Sequence, residues 1–282
     1  MTISPRTDFD LDAEHLPEVL DELPLWSAPF GLMLLEKVVL KRNLVALDIG
    51  FGTGFPLTEL AMRLGKSSLV LGIDPWESAS KRAQKKIRLY GIENAFLIQG
   101  NAEHIPLAAA SLDLIVSNNG LNNVTDLATV LQECVRVLKP GGQLVQTLNL
   151  DTTMIEFYTI LETVLRERDL PRAILSMKAH IREKRKPLEE ITGLLDESGF
   201  VTREVQKDTF WYRFVDGTAL LNHFFIRLAF LTAWEKILPE QAREAILVET
   251  EKRMNAHAEK DGSFSLSVPY AVIDSRKREP TT

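Results

Sequence analysis

The chain has 282 residues, 33 Lys plus Arg against 39 Asp plus Glu, and a formal net charge of −6. With 45% hydrophobic and 26% charged residues it lies far from the composition of disordered chains, and its acidic balance argues against a partner recognised through phosphate neutralisation. No uncharged stretch approaches the roughly 18 apolar residues of a membrane span, and the acidic start (Asp8, Asp10, Asp12) lacks the order of a signal peptide, so the cytosol is the expected compartment.

In chain order, residues 28–42 predict an amphipathic helix that closes an N-terminal segment, 1–43, with Phe30, Leu34, Val38 and Val39 on its apolar face. Residues 44–50 are a short, nearly all-apolar run ending in glycine, as expected of a strand buried on both faces. A helix begins at Pro56 and stops at Gly65; a second buried strand covers 68–74, and a helix follows over 77–90. Strands at 96–100 and 112–117, a helix at 127–138 and a fifth strand at 142–150 complete the alternation, which specifies an α/β, doubly wound parallel sheet. Cys134, the single cysteine, sits on the apolar stripe of the 127–138 helix and reads as a buried thiol; it excludes a disulfide or a multi-cysteine metal site.

Beyond Asp151 the rhythm changes. Residues 153–168, 172–181 and 188–198 predict three successive helices, so 151–198 reads as a helical insertion. The remainder, 199–282, holds a strand through Phe210, two helices over 217–236 and 240–259, and a last run, 264–273, whose Pro269 suggests an edge or antiparallel strand. The helices of 217–259 are expected to form a lid at the ligand edge of the sheet, with Leu220, Phe224, Leu228 and Leu231 on the buried face; a homodimer interface is the competing use of the same face.

Ligands of such sheets bind beyond the carboxyl ends of the strands. There the loop Asp48-Ile-Gly50-Phe-Gly52-Thr-Gly54 places three alternate glycines between a strand and a helix, which lets backbone approach a nucleotide-type ligand. Its spacing is G-x-G-x-G, not the dinucleotide pattern G-x-G-x-x-G, and Asp74 ends the next strand 26 residues after Asp48, where a carboxylate can accept from ribose hydroxyls.

These residues, with Gly100-Asn-Ala-Glu-His-Ile-Pro106, Leu112-Asp-Leu-Ile-Val116 and Arg136-Val-Leu-Lys-Pro-Gly-Gly142, make residues 44–150 resemble the class I S-adenosylmethionine-dependent methyltransferases. The resemblance implies a Rossmann-like sheet of seven strands with the last antiparallel, and S-adenosyl-L-methionine as cofactor. It implies that Gly50, Gly52 and Gly54 pass under the methionine part, that Asp48 orients the loop and, through water, the amino group, and that Asp74 holds the ribose. Asn101 and Ala102 would face the adenine, with Pro75 or Trp76 on its other side; the family usually has Asp where Asn101 stands. Asn118 would lie near the donor, and Asn119 and His223 are the candidates for acceptor chemistry. No metal is implied. The acceptor is expected to be a small or medium-sized, partly apolar molecule. Gly120-Leu-Asn-Asn-Val124 also looks like the matching segment of quinone-biosynthesis C-methyltransferases, which carry Arg where Asn122 stands, so quinone or phenol C-methylation is an alternative. A cofactor-binding protein without transfer activity is another.

Overall fold

A computed structural model of the chain describes residues 25–279 together with Pro17 and Glu18. The start of the N-terminal segment and the last three residues lie outside the described residues. Helix α1 (Ser27–Lys37) leads into β1 (Val45–Ile49), α2 (Leu57–Leu64), β2 (Leu69–Asp74), α3 (Glu77–Leu89), β3 (Ala95–Gln99), β4 (Leu112–Asn118), α4 (Leu127–Val137) and β5 (Leu138–Asn149). Three helices follow, α5 (Ile155–Glu167), α6 (Pro171–Lys184) and α7 (Leu188–Ser198), then β6 (Phe200–Phe214). Helices α8 (Gly217–Asn222), α9 (Phe224–Ile226), α10 (Thr232–Lys236) and α11 (Arg243–Asp261) precede β7 (Phe264–Lys277).

The seven strands form one sheet in the order β3-β2-β1-β4-β5-β7-β6. β1 to β5 are parallel, and β7 lies antiparallel to β5 with Gln143 opposite Arg276 and Asn149 opposite Tyr270. The seven-strand sheet with its antiparallel last strand is thus the arrangement expected. β7 is an inner strand, so of the two roles suggested for the run containing Pro269 the antiparallel one holds and the edge one does not.

The chain divides into two compact units, described separately. The sheet unit holds residues 25–149, 187–208 and 270–279; the helical unit holds 150–186 and 209–269. Helix α7, read from sequence as part of the insertion, is counted with the sheet.

Within the sheet unit α1 stops at Lys37, short of the expected residue 42. Gln143 is the reason: its side-chain amide donates to the Lys37 carbonyl at 2.8 Å and accepts the Val39 N–H at 3.0 Å, which satisfies backbone groups a further turn would use. β5 starts earlier than expected. Leu138 already pairs with Leu112, and the Pro140-Gly141-Gly142 turn bulges out before pairing resumes with Gln143 against Leu114. Cys134 is fully buried, and burial, reinforced by Glu133, pushes its thiol up to about 12.

Within the helical unit Phe157, Tyr158 and Trp234 form the centre, with Phe157 and Trp234 stacked at 3.9 Å between ring centroids. The single helix expected over 217–236 is broken. The chain leaves helical geometry at His223 (φ −64°, ψ 129°), resumes at Phe224, and takes π-helical geometry over Arg227–Leu231. Of the face expected to be buried, Leu220 and Leu231 are buried and Phe224 and Leu228 only partly so; after the break Phe225, Ile226 and Trp234 are buried beside them. Gly217 meets the side chain of Met254, and its N–H donates to Asn255 Oδ1 at 2.8 Å, which seats α8 on α11.

Candidate functional site

All of the following lies in the sheet unit. A cavity of about 640 Å³ opens at the carboxyl ends of β1, β2 and β4. Its lining includes Gly50 and Gly52 from the first loop, Asp74, Pro75 and Trp76 from the second, Asn101, Ala102 and Glu103 from the third, and Gly120 and Asn123–Asp126 from the fourth.

The first loop owes its shape to two contacts. At Gly52, φ is +50°, and an added Cβ would point into open space beside the cavity, so this backbone offers a ligand surface that any side chain would occupy. At Gly50, φ is +76° and a Cβ would stand 2.7 Å from the Gly120 Cα; a Cβ on Gly120 would in turn strike the Ile49 carbonyl oxygen. Two glycines therefore let the loops after β1 and β4 cross in backbone contact. Below them Phe51 and Leu57 fill the room left by Gly72, and Gly54 rests on Ala83 of α3.

Asp74 holds the loop by its backbone. One carboxylate oxygen accepts the Gly52 N–H at 2.8 Å and the other the Trp76 N–H at 2.8 Å, leaving lone pairs on both for a hydroxyl donor. Burial raises its pKa, and these two N–H groups pull it back. Asp48 lies beneath the loop, fully buried, and neither carboxylate oxygen has a hydrogen-bond partner. Burial first, and then the charge of Asp74, holds its pKa well above the carboxylate range; the Leu57 N–H acts the other way without closing to a hydrogen bond. A buried carboxylate left in this state is suited to a cationic or donor-rich ligand overhead.

The third loop is fixed from α4. Arg136 donates to the Ile105 and Leu107 carbonyls, both at 2.7 Å, while Glu133 accepts the Ile105 N–H at 2.8 Å and pairs with Arg136. Glu103 accepts the Thr125 N–H at 3.1 Å, tying the third loop to the fourth. Asn101 and Ala102 are thereby presented to the cavity by a loop braced on both sides.

Seven of the expected cofactor residues line this cavity: Gly50, Gly52, Asp74, Pro75, Trp76, Asn101 and Ala102. Asp48 and Gly54 do not line it. Asn118 is elsewhere engaged, with its amide donating to the Ser27 carbonyl at 3.1 Å and its oxygen accepting from Thr147 Oγ at 2.9 Å. Asn119 adopts φ +61°, and its side-chain oxygen accepts from Asn122 at 2.9 Å while its buried amide nitrogen is unpartnered. Asn122 also donates to Asn149 at 3.2 Å, so neutral amides form this corner. His223 belongs to the helical unit, where its ring packs edge-on to Phe214 at 5.4 Å and Tyr212 at 6.2 Å and burial lowers its pKa. Gly120 and the 123–126 turn line the cavity too, although nothing in the sequence assigned them to the cofactor. The signal available was a glycine two residues past a strand end, which is informative only once Gly50 is known to face it. Among the described residues no cluster of His, Cys, Asp or Glu could hold a metal ion, and no helix is long and apolar enough to cross a membrane.

A family model described as a methyltransferase domain matches residues 47–146, the stretch that builds this cavity. The demethylmenaquinone methyltransferase of Lactococcus lactis is 32% identical over 193 residues, which cover 64% of this chain and 73% of that protein. The enzyme of the same name from Bacillus velezensis is 39% identical over 105 residues, covering 37% of this chain and 45% of its own; the match spans about half the length of several such relatives. In fold, the YcgJ protein from Bacillus subtilis superposes with a TM-score of 0.58 at 19% identity, over 89% of this chain and 98% of that one.

Proposed function

The chain belongs to the class I S-adenosylmethionine-dependent methyltransferases, and we propose that it transfers the cofactor's methyl group to a small or medium-sized, partly apolar acceptor of the quinone class for which its relatives are named. The observation that carries this reading is the cavity over Gly50 and Gly52 with the unpartnered carboxylate of Asp48 beneath it. S-adenosylmethionine, when bound, supplies a methyl group on a positively charged sulfonium, so the protein's work is orientation and exclusion of water.

The residues fit that group. Asp74 would accept from the ribose hydroxyls with the lone pairs left by Gly52 and Trp76. Asn101 would accept from the adenine amine, with Ala102 and Pro75 or Trp76 against the base. Asp48 would balance the cationic amino acid portion from below, and Gly50 and Gly52 would admit its backbone-close passage. Asn119 and Asn122 supply neutral dipoles at the end of β4, which add no charge beside a sulfonium.

The test is transfer of labelled methyl from S-adenosylmethionine to a reduced demethylnaphthoquinone, with extraction of the product. Label in the quinone fraction is the expected result. Tight binding of S-adenosylhomocysteine with no transfer to any quinol or phenol would favour a cofactor-binding protein without transfer activity.

A further inference from the structure

The helical unit contains a charge that its own residues do not balance. Arg185, the residue that ends α6, is 4% exposed, and among the described residues no carboxylate lies within ion-pair distance of it. Its one side-chain hydrogen bond is a long one, from Nη1 to the Tyr158 hydroxyl oxygen at 3.5 Å; its Nε is buried without a partner. The guanidinium carbon lies 5.5 Å from the Tyr158 ring centroid, so the ring gives it partial relief.

The donors and acceptors around it do not match. Trp234 Nε1 donates to the same Tyr158 oxygen at 2.9 Å. With Arg185 and Trp234 both donating, the lone pairs of that oxygen are used, and the hydroxyl proton must itself be given to some further acceptor. Arginine offers five N–H donors and no acceptor, and indole one donor and none. The cluster therefore presents surplus donors and a positive charge among the rings of Phe157, Tyr158 and Trp234, with Phe230 stacked on Trp234. Arg185 also acts on its surroundings: after burial, its charge and that of Lys184 lower the pKa of half-buried His180, with Glu183 opposing and itself paired to Lys184 at 3.4 Å. Buried charges are ordinarily paired, and a guanidinium left unpaired among aromatic rings suits a planar oxyanion.

We propose that Arg185 and Tyr158 form a binding site for an oxyanion, a carboxylate or an ionised ring hydroxyl, carried on an aromatic body. The site stands on its own geometry and does not rest on the function proposed above.

Calorimetry on the full chain, with and without S-adenosylhomocysteine, tests it with three probes: 1-naphthoate, its neutral isostere 1-naphthamide, and 2-hydroxy-1,4-naphthoquinone in its ionised form. The naphthoate or the ionised quinone should bind at least tenfold more tightly than the amide, and whichever binds better identifies the source of the oxyanion. Arg185→Gln should abolish that preference, Arg185→Lys should retain part of it, and both variants should keep the wild-type affinity for S-adenosylhomocysteine. Without ligand, Arg185→Gln should melt no lower than the wild type, because an unbalanced charge has been removed. Equal binding of naphthoate and naphthamide, no binding of either anion, or a preference that survives Arg185→Gln would overturn the proposal, as would a large fall in melting temperature that shows Arg185 to be structural. Loss of S-adenosylhomocysteine binding by the wild type would instead count against the cofactor reading and leave this test intact.

Discussion

The loop of residues 48–56 and the helical run of residues 217–261 meet opposite demands, and the contrast explains why one can be interpreted chemically and the other only by packing. In the loop, backbone must come close to backbone and to a ligand, so residue type is dictated atom by atom: Gly50 against Gly120, Gly52 against open space, Asp74 on two N–H groups. In the helical run most positions need only be apolar and of suitable volume, a requirement that many sequences meet equally well.

The contrast can be broken most forcefully in the helical unit. Trp234→Ala removes a fully buried ring stacked on Phe157 and should cost ~3–5 kcal/mol, seen as a large fall in melting temperature, while S-adenosylhomocysteine affinity measured well below the transition stays within a few-fold of wild type. Loss of cofactor affinity in that variant would show that the two regions are not energetically separate. Gly52→Val should do the reverse: calorimetry should detect at least a hundredfold loss of affinity, about 2.7 kcal/mol, with a much smaller effect on melting, since the side chain enters ligand space at a φ of +50°. Asp74→Ala should weaken S-adenosylmethionine and S-adenosylhomocysteine alike by ~1.5–3 kcal/mol, because the ribose is common to both.

Asp48 gives a pH signature. Its folded pKa stands above the ordinary carboxylate value, so the native state binds the extra proton, and stability without ligand falls as pH rises from that value through the raised one. A cationic ligand reverses the preference. Affinity for S-adenosylmethionine should therefore drop on acidification at a pH above the usual carboxylate range, and Asp48→Asn should flatten that limb, bind more weakly at neutral pH and melt higher without ligand. A pH profile identical in the variant would remove Asp48 from the site. The smallest effect is expected from Arg136→Gln, which frees the Ile105 and Leu107 carbonyls without touching the cavity: a three- to tenfold loss of cofactor affinity, about 0.7–1.4 kcal/mol, with binding stoichiometry unchanged.

Much of the sheet unit was legible because its signals are local. Short apolar runs ending in Gly50 and Asp74 define strand ends, and a glycine spacing tells where backbone must be bare. What escaped depended on partners distant in sequence: Gln143 ending α1 from 106 residues away, Gly120 meeting Gly50, and the hydrogen bonds of Asn118 with Thr147 and Ser27. In the helical unit Leu220 and Leu231 are buried as the apolar period implied, yet the break at His223 and the π-helical residues after it bury Phe225 and Ile226 more fully than Phe224 and Leu228. In sequence Arg185 is one of several cations between Lys178 and Lys186, and only its burial without a carboxylate sets it apart.

The central claim is that the first, second, third and fourth loops of the sheet together hold S-adenosylmethionine. A crystal structure of the chain grown with S-adenosylhomocysteine tests it most directly. The ribose hydroxyls should lie within hydrogen-bond distance of Asp74, the adenine should lie between Ala102 and Pro75 or Trp76, and the amino acid end should lie over Gly50 and Gly52. Density for the ligand outside that cavity, or a cavity without ligand at saturating concentration, would contradict the account.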